Sequence, residues 1–153
     1  MAKEGGNVDD HHLILRVVTR LLIGPILLFG LYVQFHGDYG PGGGFQAGVI
    51  FAVAFILFGL VFGLSELRRR VPDWLIHKLV ALGLLIYAFT GVASFVFGFN
   101  YLDYNPLGPN PITAQHWGIL AIEFGVGMTV FAVMVTFYYA FAGRPPQIRD
   151  EDW

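Results

Sequence analysis

The chain has 153 residues, 56% of them hydrophobic and 13% charged, with a formal net charge of −2 and a mean hydropathy of +0.62. A charged share about half that of soluble domains points to a single membrane domain. The absence of a basic field excludes nucleic acid as a partner, and the absence of cysteine removes disulfides, thiolate metal sites and cysteine nucleophiles.

Residues 1–12 are polar and carry Glu4, Asp9 and Asp10, so they read as an N-terminal tail. They lack the basic n-region of a cleavable signal peptide, and the first apolar segment is expected to stay. That segment predicts a helix over about 15–36. Its uncharged core, Leu21 to Gly37, follows Arg16 and Arg20, which are four apart and share a face from which both snorkel to the headgroups. Gly24-Pro25 predicts a kink, because proline removes a backbone donor and crowds the preceding turn. A second helix is expected over about 45–64, with no charge from Phe45 to Leu64. The third is expected over about 74–99, with Pro72 at N1, Asp73 favoured by the helix dipole and Trp74 at the interface. The fourth is expected over about 115–142, with Glu123 as the one charge between Trp117 and Ala142. Gly143 with Pro145 and Pro146 would stop it, leaving 143–153 as a C-terminal tail. Each run reaches or approaches the roughly 20 apolar residues that span a bilayer. The expected fold class is an all-α integral membrane protein of four transmembrane helices.

Basic residues are one-sided. Lys3, Arg16 and Arg20 precede the first helix, Arg68, Arg69, Arg70 and Lys78 lie between the second and third, and Arg144 and Arg149 follow the fourth. The other two connections have none. The positive-inside rule then places both termini and the 65–78 loop in the cytoplasm of a multi-pass cell-membrane protein, with 37–44 and 100–116 outside.

Mostly small residues make stripes: Gly44, Gly48, Ala52, Gly59 and Gly63 in the second helix, Gly83, Tyr87, Gly91, Ser94 and Gly98 in the third, and Gly118, Gly125, Thr129, Ala132 and Thr136 in the fourth. Such stripes let helices approach closely. So many in one small unit suggest that some face other subunits, against the alternative of compact self-packing.

Glu123 is the strongest single signal, since a carboxylate inside a membrane helix tends to face a water-filled cavity, a partner charge or a proton path. With a helix beginning near Trp117 it lies about 9 Å inside the outer end, so a structural acid reaching the headgroups is the competing reading. His116 is seven residues earlier on the same face, either a proton group or a solvated cap residue. His36 and Asp38 flank Gly37 at the outer end of the first helix, with Gln34 one turn inside. They are either a proton relay or loop-mouth capping groups. No set of three His, Asp or Glu residues has the helical spacing of a preformed metal site, and no Ser/His/Asp arrangement supports catalysis. No cofactor, metal or catalytic residue is expected.

The stretch His36 to Gly48, HGDYGPGGGFQAG, is glycine-rich at a helix start, yet lacks the Lys and Ser/Thr of a P-loop and the preceding strand of a dinucleotide fold. It resembles the hallmark of the MnhB/MrpB-type B subunit of multisubunit Mrp sodium/proton antiporters, a pattern of the form H-G-x-x-x-P-G-G-G-F-x-x-G. His36, Gly37, Pro41, Gly42, Gly43, Gly44, Phe45 and Gly48 match it. The segment NPLGPNPITAQHWGILAIEFGVGMTV is similar to archaeal-type members found inside membrane-bound hydrogenase or sulfane-reductase complexes. It departs from the commoner bacterial pattern, whose acidic residue falls near the position of Thr129. The resemblance implies a small transport subunit with other membrane subunits as partners and Na+ and H+ as the transported ions. In physical terms Pro41 and the glycines form a tight reversal that admits close backbone approach. The motif is architectural first, with direct ion binding by its backbone as the alternative.

Three functions stand side by side. One is a non-catalytic antiporter subunit supporting the sodium and proton path. The second is a self-sufficient homo-oligomeric channel or small transporter, and the third is a non-conducting scaffold subunit. One intramembrane carboxylate and no buried base is little material for a coupled cycle in one chain, which favours the subunit.

Overall fold

A computed structural model describes residues 6–37 and 39–144, with side chains from residue 13 onward. All regular structure among them is helical: α1 (Gly6–His36), α2 (Gly44–Phe62), the short α3 (Leu64–Arg70), α4 (Asp73–Val96) and α5 (Pro111–Ala142), with a 3-10 turn at Asn105–Leu107. Leu13–His36, Gly44–Phe62, Asp73–Val96 and Pro111–Ala142 are each long and apolar enough to cross a membrane.

Several boundaries differ from the sequence reading. α1 starts at Gly6, inside the stretch read as tail, and its helix continues through Pro25. α2 ends at Phe62 because Gly63 takes φ +98° and donates its N–H to Gly59 O at 2.9 Å. Gly63 then starts α3 in what was read as loop. Pro72 is the N-cap of α4 and not its first helical residue. α4 stops three residues short of the apolar run. Gly98 has φ +82°, and the amides of Gly98 and Phe99 donate to Phe95 O and Ser94 O. These are the paired bonds of a Schellman closure. α5 begins four residues early because Asn110 and Pro111 together make the helix start, extended backbone followed by proline at N1. At its far end Gly143 caps the helix in the right-handed region, φ −85°, so no left-handed glycine is needed there. Pro145 and Pro146 lie outside the described residues.

The spanning helices stand in a row, α1 on α2, α2 on α5 and α5 on α4. The small-residue stripes build this row. A Cβ on Gly48 would stand 2.5 Å from Gly127 O and 2.9 Å from the Val130 Cβ. One on Gly125 would stand 2.8 Å from Gly83 O. Ala52 and Ala132 are fully buried, in one cluster with Leu67, Val71, Ile76, Val135 and Tyr139. The Tyr139 hydroxyl there donates to Val71 O at 2.7 Å. Gly91 and Gly118 seat the rings of Tyr101 and Tyr104 from the 97–110 connection. The expectation that some of these stripes face other subunits is therefore corrected for Gly48, Gly83, Gly91, Gly118 and Gly125. Without a hydrophobic force between helices in lipid, a short chain needs its small residues for its own packing.

Candidate functional site

The His36–Gly48 stretch and Glu123 form one site. The chain leaves α1 by folding back on its last turn: Gly43 N–H donates to Val33 O at 3.0 Å, and Tyr39 and Gly40 N–H both donate to His36 O, at 3.0 and 3.2 Å. These bonds satisfy carbonyls that a helix end leaves without partners. Gly43 caps α2 with φ +115°, a conformation that glycine adopts without penalty.

α5 lies directly against this turn. A Cβ on Gly37 would collide with both Glu123 carboxylate oxygens, the farther at 2.7 Å, and one on Gly43 would stand 2.7 Å from Glu123 Oε1. On Gly44 it would overlap the Glu123 backbone carbonyl. Gly43 and Gly44 are both buried. The carboxylate is thus half-buried in a cradle of glycine backbone at the start of α2, whose first N–H groups have no intrahelical acceptor and carry the positive end of the dipole. Gly43 and Gly44 leave room for the Glu123 carboxylate and backbone respectively, while a Cβ on Gly42 would instead stand 2.8 Å from Val33 O at the end of α1.

Glu123 also sits deeper than the sequence placed it. With α5 beginning at Pro111 it lies twelve residues into a 32-residue helix, about 18 Å along the axis from that end. On the same face Gly127 packs on Gly44, and a Cβ there would stand 2.9 Å from both Gly44 O and Gln34 Oε1. Gln34 is 5% exposed, and its Nε2 has no hydrogen-bond partner among the described residues. Gly127 escaped the residue-by-residue reading, and Gln34 enters there only for its place inside the outer end of the first helix. A lone amide in an uncharged span and a glycine one turn after the intramembrane acid were the available signals.

Beside the cradle is an open cleft of about 620 Å³ lined by Gly37, Tyr39, Ile112, Thr113, Gln115 and His116. His116 is exposed there, its ring edge-on to Trp117 at 5.9 Å. Gly37 therefore borders the cleft on one side and the Glu123 carboxylate on the other. His36 lies in an aromatic ladder, stacked on Tyr32 at 5.0 Å and 6.5 Å from Tyr39. Phe45 is exposed and Pro41 is at the outer surface of the turn. Asp38 lies outside the described residues. Outside the spans, burial and the neighbouring Tyr87 and Tyr101 phenols push Tyr104 above its ordinary value, so it is a neutral packing group. No group of three or more potential metal ligands occurs among the described residues.

A family model described as a domain related to the MnhB subunit of the Na+/H+ antiporter matches residues 14–136, which include the whole cradle. The chain belongs to the MnhB family. Among its relatives is an antiporter subunit named mnhB2 of Staphylococcus haemolyticus, 35% identical over 144 residues, covering 89% of this chain and 98% of the relative. Another mnhB2, of Staphylococcus aureus strain Newman, is 36% identical over 140 residues with the same coverage. The matches run nearly end to end, so the MnhB likeness covers the row of helices together with the motif.

Proposed function

We propose that this chain is the MnhB-type small subunit of a multisubunit Na+/H+ antiporter, a transport subunit and not an enzyme, and that Glu123 is a station on its ion path. Family membership supports the first part. The observation that carries the second is the seat of the Glu123 carboxylate against Gly37 and Gly43, next to the cleft that His116 lines. Irregular backbone at membrane depth is tolerated where it lines a cavity, and a carboxylate at that depth marks an ion or proton route. His116, seven residues before Glu123 on the same face, stands at the mouth of the route, and the other membrane subunits of the antiporter complete it. Pro41, Gly42, Gly43, Gly44 and Gly48 are architectural: Pro41 and Gly42 shape the turn against the end of α1, and Gly43, Gly44 and Gly48 admit α5.

Glu123→Gln keeps shape and most hydrogen bonding while removing the titratable charge. We expect sodium-driven proton movement in everted vesicles to fall at least tenfold, with the amount of assembled complex, quantified in the same preparation, unchanged. Wild-type transport at unchanged assembly would make Glu123 a structural acid.

A further inference from the structure

A second cavity lies toward the opposite ends of α1 and α2 from the glycine cradle. It measures about 770 Å³ and opens between α1 and the α2–α3 corner. Its walls are apolar, with Phe55 and Phe58 of α2 and Ile23 of α1, while Arg16, Arg20, Arg70 and Glu66 stand among its lining residues. The charges belong to the end of α2. Arg20 lies over the Phe62 ring at 5.2 Å and Arg70 over Phe58 at 4.8 Å. From Phe62 to Phe55 is seven residues of helix, so the apolar wall runs about 10 Å inward from the Arg20 guanidinium, with Arg70 over Phe58 one turn along it. Glu66 pairs with Arg70 at 3.1 Å, while Arg16 and Arg20 have no ion pair among the described residues. Three guanidiniums against one carboxylate leave the rim positive.

We propose that this slot binds an anionic phospholipid, with the headgroup phosphate on Arg16 and Arg20 and the upper part of an acyl chain against Phe58 and Phe55. The chemistry selects among occupants. A free phosphate gains nothing from aromatic walls that extend away from the charges. A partner helix about 10 Å across would fit the slot for about two turns and would need acids to meet the arginines. A phospholipid presents a negative head and an apolar tail in the order that rim and walls demand. Arginine suits this position, because its planar fork donates to phosphate while its face rests on a ring. The proposal is independent of any role for Glu123.

The test is quenching by brominated lipid, read from a tryptophan in the slot of the full chain in vesicles. For Phe58→Trp, with the signal of the unsubstituted chain subtracted, dibrominated phosphatidylglycerol should quench in preference to dibrominated phosphatidylcholine. The expected ratio of relative binding constants is on the order of tenfold at low salt, shrinking as salt is raised. R16Q/R20Q should bring the ratio close to one without changing quenching by phosphatidylcholine. Phe55→Trp, on the same wall, reads the same site should Phe58→Trp fail to insert. A ratio near one in the parent, a preference that survives R16Q/R20Q, or no quenching by either lipid would overturn the proposal. Displacement of the brominated lipid by inorganic phosphate would assign the rim to a free anion and overturn it as well.

Discussion

Gly37 and Gly24 lie in the same helix-and-turn segment, and their neighbours alone separate them. Nothing stands within 4 Å of a Cβ on Gly24, whereas a Cβ on Gly37 meets the Glu123 carboxylate. Gly37→Ala adds one methyl at a residue without positive φ, so its effect comes from displacing the carboxylate and not from backbone strain. We expect it to reduce sodium-driven transport roughly tenfold, equivalent to about 1.4 kcal/mol, with helix content unchanged by circular dichroism. Gly24→Ala should leave transport unchanged and stabilise the helix by about 0.5 kcal/mol. Equal behaviour of the two variants would disconnect the cradle from transport. At this scale the sequence showed which residues were unusual but not how they meet. Glu123 stands out because a lone carboxylate in an apolar run is expensive. That its seat is Gly37, 86 positions away, depends on a contact across the row that no local pattern encodes.

At the scale of elements, the small-residue stripes decide the order of the helices. Gly48 on α2 meets Gly127 and Val130 on α5, and Gly83 on α4 meets Gly125 and Thr129 on α5. α5 is therefore the helix on which α2 and α4 are built. A bulky residue at Gly48 separates α2 from α5 inside the chain, before any neighbouring subunit is involved. For Gly48→Leu we expect the isolated full chain to lose at least 1–3 kcal/mol, the usual effect of overpacking. Thermal unfolding in detergent followed by circular dichroism would read it. Unchanged stability of the isolated chain combined with failed complex assembly would return Gly48 to an interface between subunits. The four spans were legible because twenty apolar residues have few other uses. Their ends were less so, because Gly63 and Gly98 stop α2 and α4 with left-handed backbone inside stretches whose hydropathy runs on.

For the whole molecule, the row leaves many large apolar side chains uncovered, among them Phe29, Tyr32 and Phe35 on α1 and Phe89 and Phe95 on α4. Only 11% of the spanning window of α1 is buried, against 28% for α2 and α5. In a bilayer this is the normal solvation of an outer helix, and in a multisubunit antiporter it is also the surface open to other subunits. By the positive-inside rule, both ends and Arg68 to Arg70 are expected on the cytoplasmic side. A cysteine substituted at Asn105 should label with a membrane-impermeant thiol reagent applied from outside intact cells, and one at Arg69 should not. The natural lack of cysteine makes the experiment clean. Reversed labelling would overturn the orientation and place the Glu123 cradle nearer the cytoplasm.

The sequence by itself determined that the chain is helical and membrane-bound, that it crosses four times, and, through HGDYGPGGGFQAG, what family it resembles. Those properties rest on local composition: apolar length, charge placement and a contiguous motif are all written along the chain. Tertiary structure alone decided what the motif packs against. Spacing read the glycines as a tight turn, and the fold made them the seat of a carboxylate. The same holds for the stripes, where a small residue is equally suited to a neighbour in its own chain or in another, and only the packed row assigned these to α5. Close approach between distant segments is a property of pairs of surfaces, and one strand of sequence records each surface without recording which other surface it meets.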